Sequence, residues 1–76
     1  IGDAASISLA RRNVALVHLA LGRPDRARPH VAEALRIGAT VGDRGLAVRN
    51  LLALAAVDRA DGRAAEAERS ARQALD

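Results

Sequence analysis

The chain has 76 residues, half of them apolar, and its twelve arginines against nine acidic residues leave a net charge of +3. At that length it is at most one small domain, burying about 60–65% of its unfolded surface, and without Cys, Met, Phe, Trp or Tyr its core must be built from Ala, Leu, Val and Ile. The lack of Cys excludes disulfides and thiolate metal sites, the lack of Lys excludes the phosphate-binding loop and Schiff-base chemistry, and the lack of aromatics excludes a base-stacking platform or an aromatic cage.

Apolar periodicity predicts four helices, over 4–21, 25–40, 43–60 and 64–75. In the first, Ala10, Val14, Val17 and Leu21 step by 4, 3 and 4 and form the stripe expected to pack. Gly22 follows, where a helix commonly ends in a left-handed residue. Pro24 cannot continue that helix, and Asp25 is the expected N-cap of the second. The second helix carries Ala27, Val31, Ala34, Leu35 and Val41, with Pro29 near its first turn, where at most one backbone bond is lost. Gly38, Gly42 and Gly45 weaken its end and mark a turn, and Asp43 is expected to cap the third helix. Asp61 and Gly62 break the third helix, and the fourth has Glu66 and Glu68 near its positive end. No alternating strand pattern is present.

The charges are scattered. Arg63, Arg69 and Arg72 alternate with Asp61, Glu66 and Glu68, as on a solvated, ion-paired helix face. Arg23, Arg26 and Arg28 form the densest basic stretch, diluted by Asp25, and carry the alternative reading of a DNA-binding helical module. No span approaches the roughly 20 apolar residues that cross a bilayer. Arg11 and Arg12 precede an apolar run, but His18 interrupts it and no cleavage site follows, so the segment is read as an amphipathic helix and not as a targeting signal. A membrane partner is not expected, and the expected location is cytoplasmic.

Displaced by 40 residues, the chain matches itself at ten of 36 overlapping positions without a gap. Gly2 and Asp3 fall on Gly42 and Asp43, Ala15 on Ala55, Val17 on Val57, Ala20 on Ala60, Gly22 and Arg23 on Gly62 and Arg63, Ala27 on Ala67, and Ala34 and Leu35 on Ala74 and Leu75. A repeat of this period indicates a helical solenoid of stacked two-helix units, here 1–40 and 41–76, the second truncated.

The spacing of Gly22, Ala27, Ala34 and Leu35, repeated at Gly62, Ala67, Ala74 and Leu75, resembles the tetratricopeptide repeat. Ala15 and Ala55 stand where that family uses a small residue so that two helices can approach, and Val14 and Leu54 at the preceding large apolar position. A standard repeat is about 34 residues. The spacing of 40 resembles a longer variant whose units are joined by a turn such as Val41 to Arg44. The family's aromatic positions carry Arg11, His18 and Val31, then Leu51, Asp58 and Ala71, which implies a thinner core. The resemblance implies an all-α fold, two antiparallel hairpins stacked as a right-handed solenoid; a HEAT-type repeat is the fold alternative. Ala- and Arg-rich arrays of this style are similar to those of large bacterial regulators. Lacking an initiating Met, and starting in phase with Val41, Gly42 and Asp43, the chain is expected to be a fragment of a longer protein.

Catalysis is hard to build from these residues. The nucleophile candidates are Ser6, Ser8, Ser70 and Thr40. Ser8 and His18 lie ten residues apart on one helix, about 15 Å along its axis, and Ser6 and Ser8 read more simply as first-turn residues. His18 is expected to be a partly buried structural histidine and His30 to be exposed; neither has further ligands at metal spacing. Asp58 and Asp61 read as a solvated helix end. No enzyme activity, cofactor or metal is expected.

A binding face is better marked. Leu9, Arg12, Leu16 and Leu19 step by 3, 4 and 3 along the first helix, and Arg49, Leu52, Ala56 and Arg59 repeat those positions 40 residues later. The resemblance implies that this face lines a concave groove holding a peptide or partner segment, with Arg49 toward an acidic ligand. The competing reading is that Leu9, Leu16 and Leu19 pack on neighbouring repeats. The expected partner is a protein or peptide segment, an adjacent repeat of a parent chain, or a second copy meeting an exposed solenoid end.

Overall fold

A computed structural model describes residues 3–75. It contains α1 (Ala4–Ala20), α2 (Pro24–Gly38), α3 (Arg44–Ala60) and α4 (Ala64–Leu75), and no strand among the described residues. The order of the helices is the expected one, with ends shifted by at most two residues.

Two helix starts are built alike. Asp3 accepts from the Ser6 amide at 2.8 Å and caps α1; Asp43, forty residues on, accepts from the Leu46 amide at 3.2 Å and caps α3. Each satisfies one of the amides a helix leaves open at its first turn. The ends of α1 and α3 are also copies. The Arg23 amide bonds His18 O and the Gly22 amide bonds Leu19 O, while the Arg63 and Gly62 amides bond Asp58 O and Arg59 O. This double closure requires a left-handed residue, and Gly22 (φ +74°) and Gly62 (φ +78°) supply it without a Cβ clash.

The start of α2 departs from expectation. Pro24 opens the helix and Asp25 lies inside its first turn; the cap position is Arg23, which makes no side-chain cap bond. Proline suits the first helical position because the amide it lacks has no partner there and its φ is already helical. Asp25 still serves the helix, as a negative charge at its positive end. Pro29 lies within α2 without ending it.

The helices form two antiparallel hairpins, α1–α2 and α3–α4, that pack through α3. Ser8 meets Ala34 and Arg11 meets His30, which runs α1 against α2; Asn50 meets Ala34 and Asp58 meets Arg28, which runs α2 against α3. α3 touches each of the other helices, whereas α2 and α4 do not meet among the described residues. The backbone forms a slab 34 × 28 × 14 Å. The thin dimension fits two helix layers at an interaxial distance of 8–10 Å. With two layers few side chains can be enclosed, and those that are enclosed are small. The core is Ala15, Ala27, Val31, Ala53 and Val57, flanked by half-buried Leu16, Leu19, Leu35 and Leu54.

The stripe Ala10, Val14, Val17 and Leu21, expected to pack, is exposed. Its counterpart on α3 is mostly covered: Asn50 and Val57 are fully buried and Leu54 packs on the core. The difference is positional, since α2 lies over α3 and, among the described residues, no helix lies over that side of α1.

Candidate functional site

The expected binding residues divide between the two inner helices. On α1, Leu9, Arg12, Leu16 and Leu19 are half-buried, and Leu16 and Leu19 pack against the core. On α3, Arg49, Leu52 and Arg59 are exposed and Ala56 is half-buried. The two sets differ because α3 lies beside α1, while the matching flank of α3 has no neighbour among the described residues.

Leu9 and Arg49 open onto the same depression. Together with Ala5, Asp43, Gly45 and Leu46 they line it, a volume of about 110 Å³ between the starts of α1 and α3. Its lining combines apolar Ala5, Leu9 and Leu46 with one arginine and Asp43, whose carboxylate is engaged in capping α3. Arg49 and Arg59 form no salt bridge among the described residues. Arg12 is different: its Nη2 donates to Asn13 Oδ1 at 3.3 Å, and its Nε is buried without a partner. Arg12 is thus held along the helix, while Arg49 and Arg59 extend into solvent. A guanidinium can present two parallel N–H groups to a carboxylate, so the free pair suits an acidic ligand.

Three of the four hydroxyl candidates are engaged in hydrogen bonds, and the fourth, Ser70, is buried on α4. Ser8 is fully buried, not a first-turn surface residue; it donates to Ala34 O at 2.8 Å and accepts from Asn50 Nδ2 at 2.9 Å. The Thr40 hydroxyl donates to Ile37 O at 2.7 Å. Ser6 Oγ donates to Asp3 Oδ2 at 3.2 Å. Those two bonds to Asp3 hold its carboxyl below the ordinary range, the Ser6 amide contributing most.

Two further expectations are corrected. His30 is half-buried, because its ring stacks on His18 with centroids 5.3 Å apart, and Arg11 Nη1 sits 3.2 Å from its Nδ1. Asp58 is buried and is not a solvated helix end. Arg28 Nη2 lies 2.7 Å from Asp58 Oδ1 and 3.1 Å from Asp61 Oδ2, spanning from α2 to α3. The contact to Asp58 is one of charge: its angle falls short of a hydrogen bond, and Oδ1 has no other donor. The Asp58 contact, followed by the one to Asp61, raises the already high pKa of Arg28. These inward ties were not visible in the sequence as such, although Arg28 and Asp58 each lie at a position where the forty-residue match breaks.

Among the described residues no group of three or more His, Asp or Glu side chains could hold a metal ion. None of the four helices is long and apolar enough to cross a membrane. The family model for the tetratricopeptide repeat matches residues 5–76. Neither a curated protein nor a solved structure shows significant similarity to the chain.

Proposed function

The chain belongs to the tetratricopeptide repeat family, whose members are protein-interaction modules, and we propose that it holds an extended acidic segment of a partner protein against the concave side of its α1–α3 layer. The observation that carries this reading is the pair of free guanidiniums, Arg49 and Arg59, standing on one helix with exposed Leu52 between them. Three and seven residues separate Arg49 from Leu52 and Arg59 from Leu52, which keeps all three on one side of α3. An extended segment rises about 3.3 Å per residue, so carboxylates a few residues apart reach both arginines. Leu9 and Leu46 line the depression where an apolar side chain of the segment would lodge. The setting we propose, inside a larger cytoplasmic bacterial regulator, rests on the Ala- and Arg-rich, aromatic-free composition.

The DNA-binding alternative is weakened by where the arginines go. Arg28, Arg36, Arg63 and Arg72 are in salt bridges, and Arg28 is turned inward from the one dense basic stretch. A fluorescein-labelled acidic nonapeptide alternating Glu and Leu, and its Lys–Leu counterpart, serve as probes in fluorescence anisotropy. The acidic peptide should bind, the basic one should not, and Arg49→Glu with Arg59→Glu should weaken binding at least about tenfold, each charged contact being worth about 1.5–3 kcal/mol. Equal binding of both peptides, or no loss in the double variant, would contradict the reading.

A further inference from the structure

Gly45 stands where the backbone does not require glycine. It is the second residue of α3, its φ is not positive, and a Cβ built on it would meet one atom within 4 Å, Asp43 Oδ1 at 3.3 Å. The cap that Asp43 makes does not require glycine there either, because the first repeat builds the same cap without it. Displaced by 40 residues, Gly45 falls on Ala5, and with Ala5 in place Asp3 accepts from the Ser6 amide at 2.8 Å. Alanine also favours a helix more than glycine does. The glycine therefore costs α3 some helix propensity that neither its conformation nor its cap explains.

What Gly45 provides is room. It lines the depression between the starts of α1 and α3, to which each helix gives one small residue, Ala5 and Gly45, and one leucine, Leu9 and Leu46. The lining is drawn from α1, α3 and the cap of α3, and not from the exposed Val14, Val17 and Leu75. Of its two charged groups, Asp43 is engaged by the Leu46 amide at 3.2 Å, while Arg49 forms no salt bridge among the described residues. A benzene ring occupies a cavity of about 150 Å³. The depression, at about 110 Å³, is smaller than that and suits an aliphatic side chain. Resting on the reading that an acidic segment lies along α1 and α3, we propose that this depression is a side-chain pocket selecting Leu, Ile or Val beside a carboxylate of that segment. Gly45 is the residue that sets its size. The aliphatic group enters between Leu9 and Leu46, the neighbouring carboxylate pairs with Arg49, and an aromatic ring is too large to follow.

The probes are fluorescein-labelled nonapeptides alternating Ala and Glu, with the central Ala kept or replaced by Leu or by Trp, and binding is read by fluorescence anisotropy. The Leu peptide should bind about tenfold more tightly than the Ala peptide, and the Trp peptide no more tightly than the Ala peptide. Gly45→Val should remove the advantage of Leu and leave affinity for the Ala peptide unchanged, since that affinity rests on Arg49 and Arg59. Gly45→Ala should remove part of the advantage while the thermal midpoint holds or rises, which separates lost binding from lost folding. Three peptides of equal affinity, or a preference for Leu that survives both Gly45 variants, would overturn the pocket. The acidic reading would then still stand if Arg49→Glu with Arg59→Glu weakened all three peptides. Failure of every acidic peptide to bind would overturn both.

Discussion

Asn50 and Ser8, forty-two residues apart, meet in a site closed to solvent: Asn50 Nδ2 donates to Ser8 Oγ at 2.9 Å and to Ala34 O at 3.2 Å, so one side chain of α3 ties both helices of the first hairpin. Gly38 makes room for it. A Cβ built there would stand 2.8 Å from Asn50 Nδ2 and 3.0 Å from Ser8 Oγ. A buried polar group is costly unless bonded; the two Asn50 Nδ2 bonds tie the hairpins together, while its Oδ1 is buried without a partner.

Gly38→Ala should therefore destabilise the fold by about 1–3 kcal/mol through overpacking, against a helix-propensity gain of about 0.5–1 kcal/mol. In an Asn50→Ala background the added methyl loses its nearest obstacle, and the cost should fall or change sign. Chemical denaturation of the four chains gives the coupling directly. Additive effects would mean that Gly38 and Asn50 do not constrain each other.

The two valines at matching repeat positions should respond differently. Val57→Ala removes a fully buried side chain and should cost about 1.5–3 kcal/mol from lost transfer energy and the cavity left behind. Val17→Ala removes a mostly exposed one and should stay within about 0.5 kcal/mol. Thermal unfolding of the pair checks the assignment of the exposed end.

Close packing of small residues predicts that Ala27→Leu will cost about 1–3 kcal/mol, because Ala27 is fully buried beside Ala15 and Val31. A neutral result by thermal unfolding would mean that the helices can part without penalty.

Helix and turn positions were legible in the sequence because they are local. Gly22, Gly62 and Asp43 act through residues three to five away, and the forty-residue match places them twice. Which face of each helix is buried was not legible for α1. Val14, Val17 and Leu21 carry the right period, but period alone does not say whether a second helix lies against the stripe. The Ser8–Asn50 tie was hidden for another reason. Displaced by forty residues the two fall on Val48 and Ala10, so the repeat offers no echo, and a serine near a helix start is ordinarily read as solvated. Of the binding face, the spacing placed the residues on α1 and α3; that Leu16 and Leu19 are half taken up by the core depends on the α3 flank beside them.

Acid should act on the α1 cap. The Asp3 carboxyl is held below the ordinary aspartate value of 3.8 by the Ser6 amide and hydroxyl. A carboxyl whose folded value is depressed adds stability above its unfolded value and loses it as pH falls through the folded one. The Ser6 amide resonance should titrate below pH 3.8, with fraying of the first turn of α1 in the same interval; Asp3→Asn should flatten that titration. A Ser6 amide indifferent to acid would show that the cap does not form.

The measurement closest to the central claim is a two-dimensional amide NMR titration of the 15N-labelled chain with the unlabelled acidic Glu–Leu nonapeptide. The account predicts shifts concentrated at Leu9, Arg49, Leu52 and Arg59, with the outward positions of α2 and α4 unmoved. Shifts confined to α2 or α4, or no shift at any peptide concentration, would contradict it.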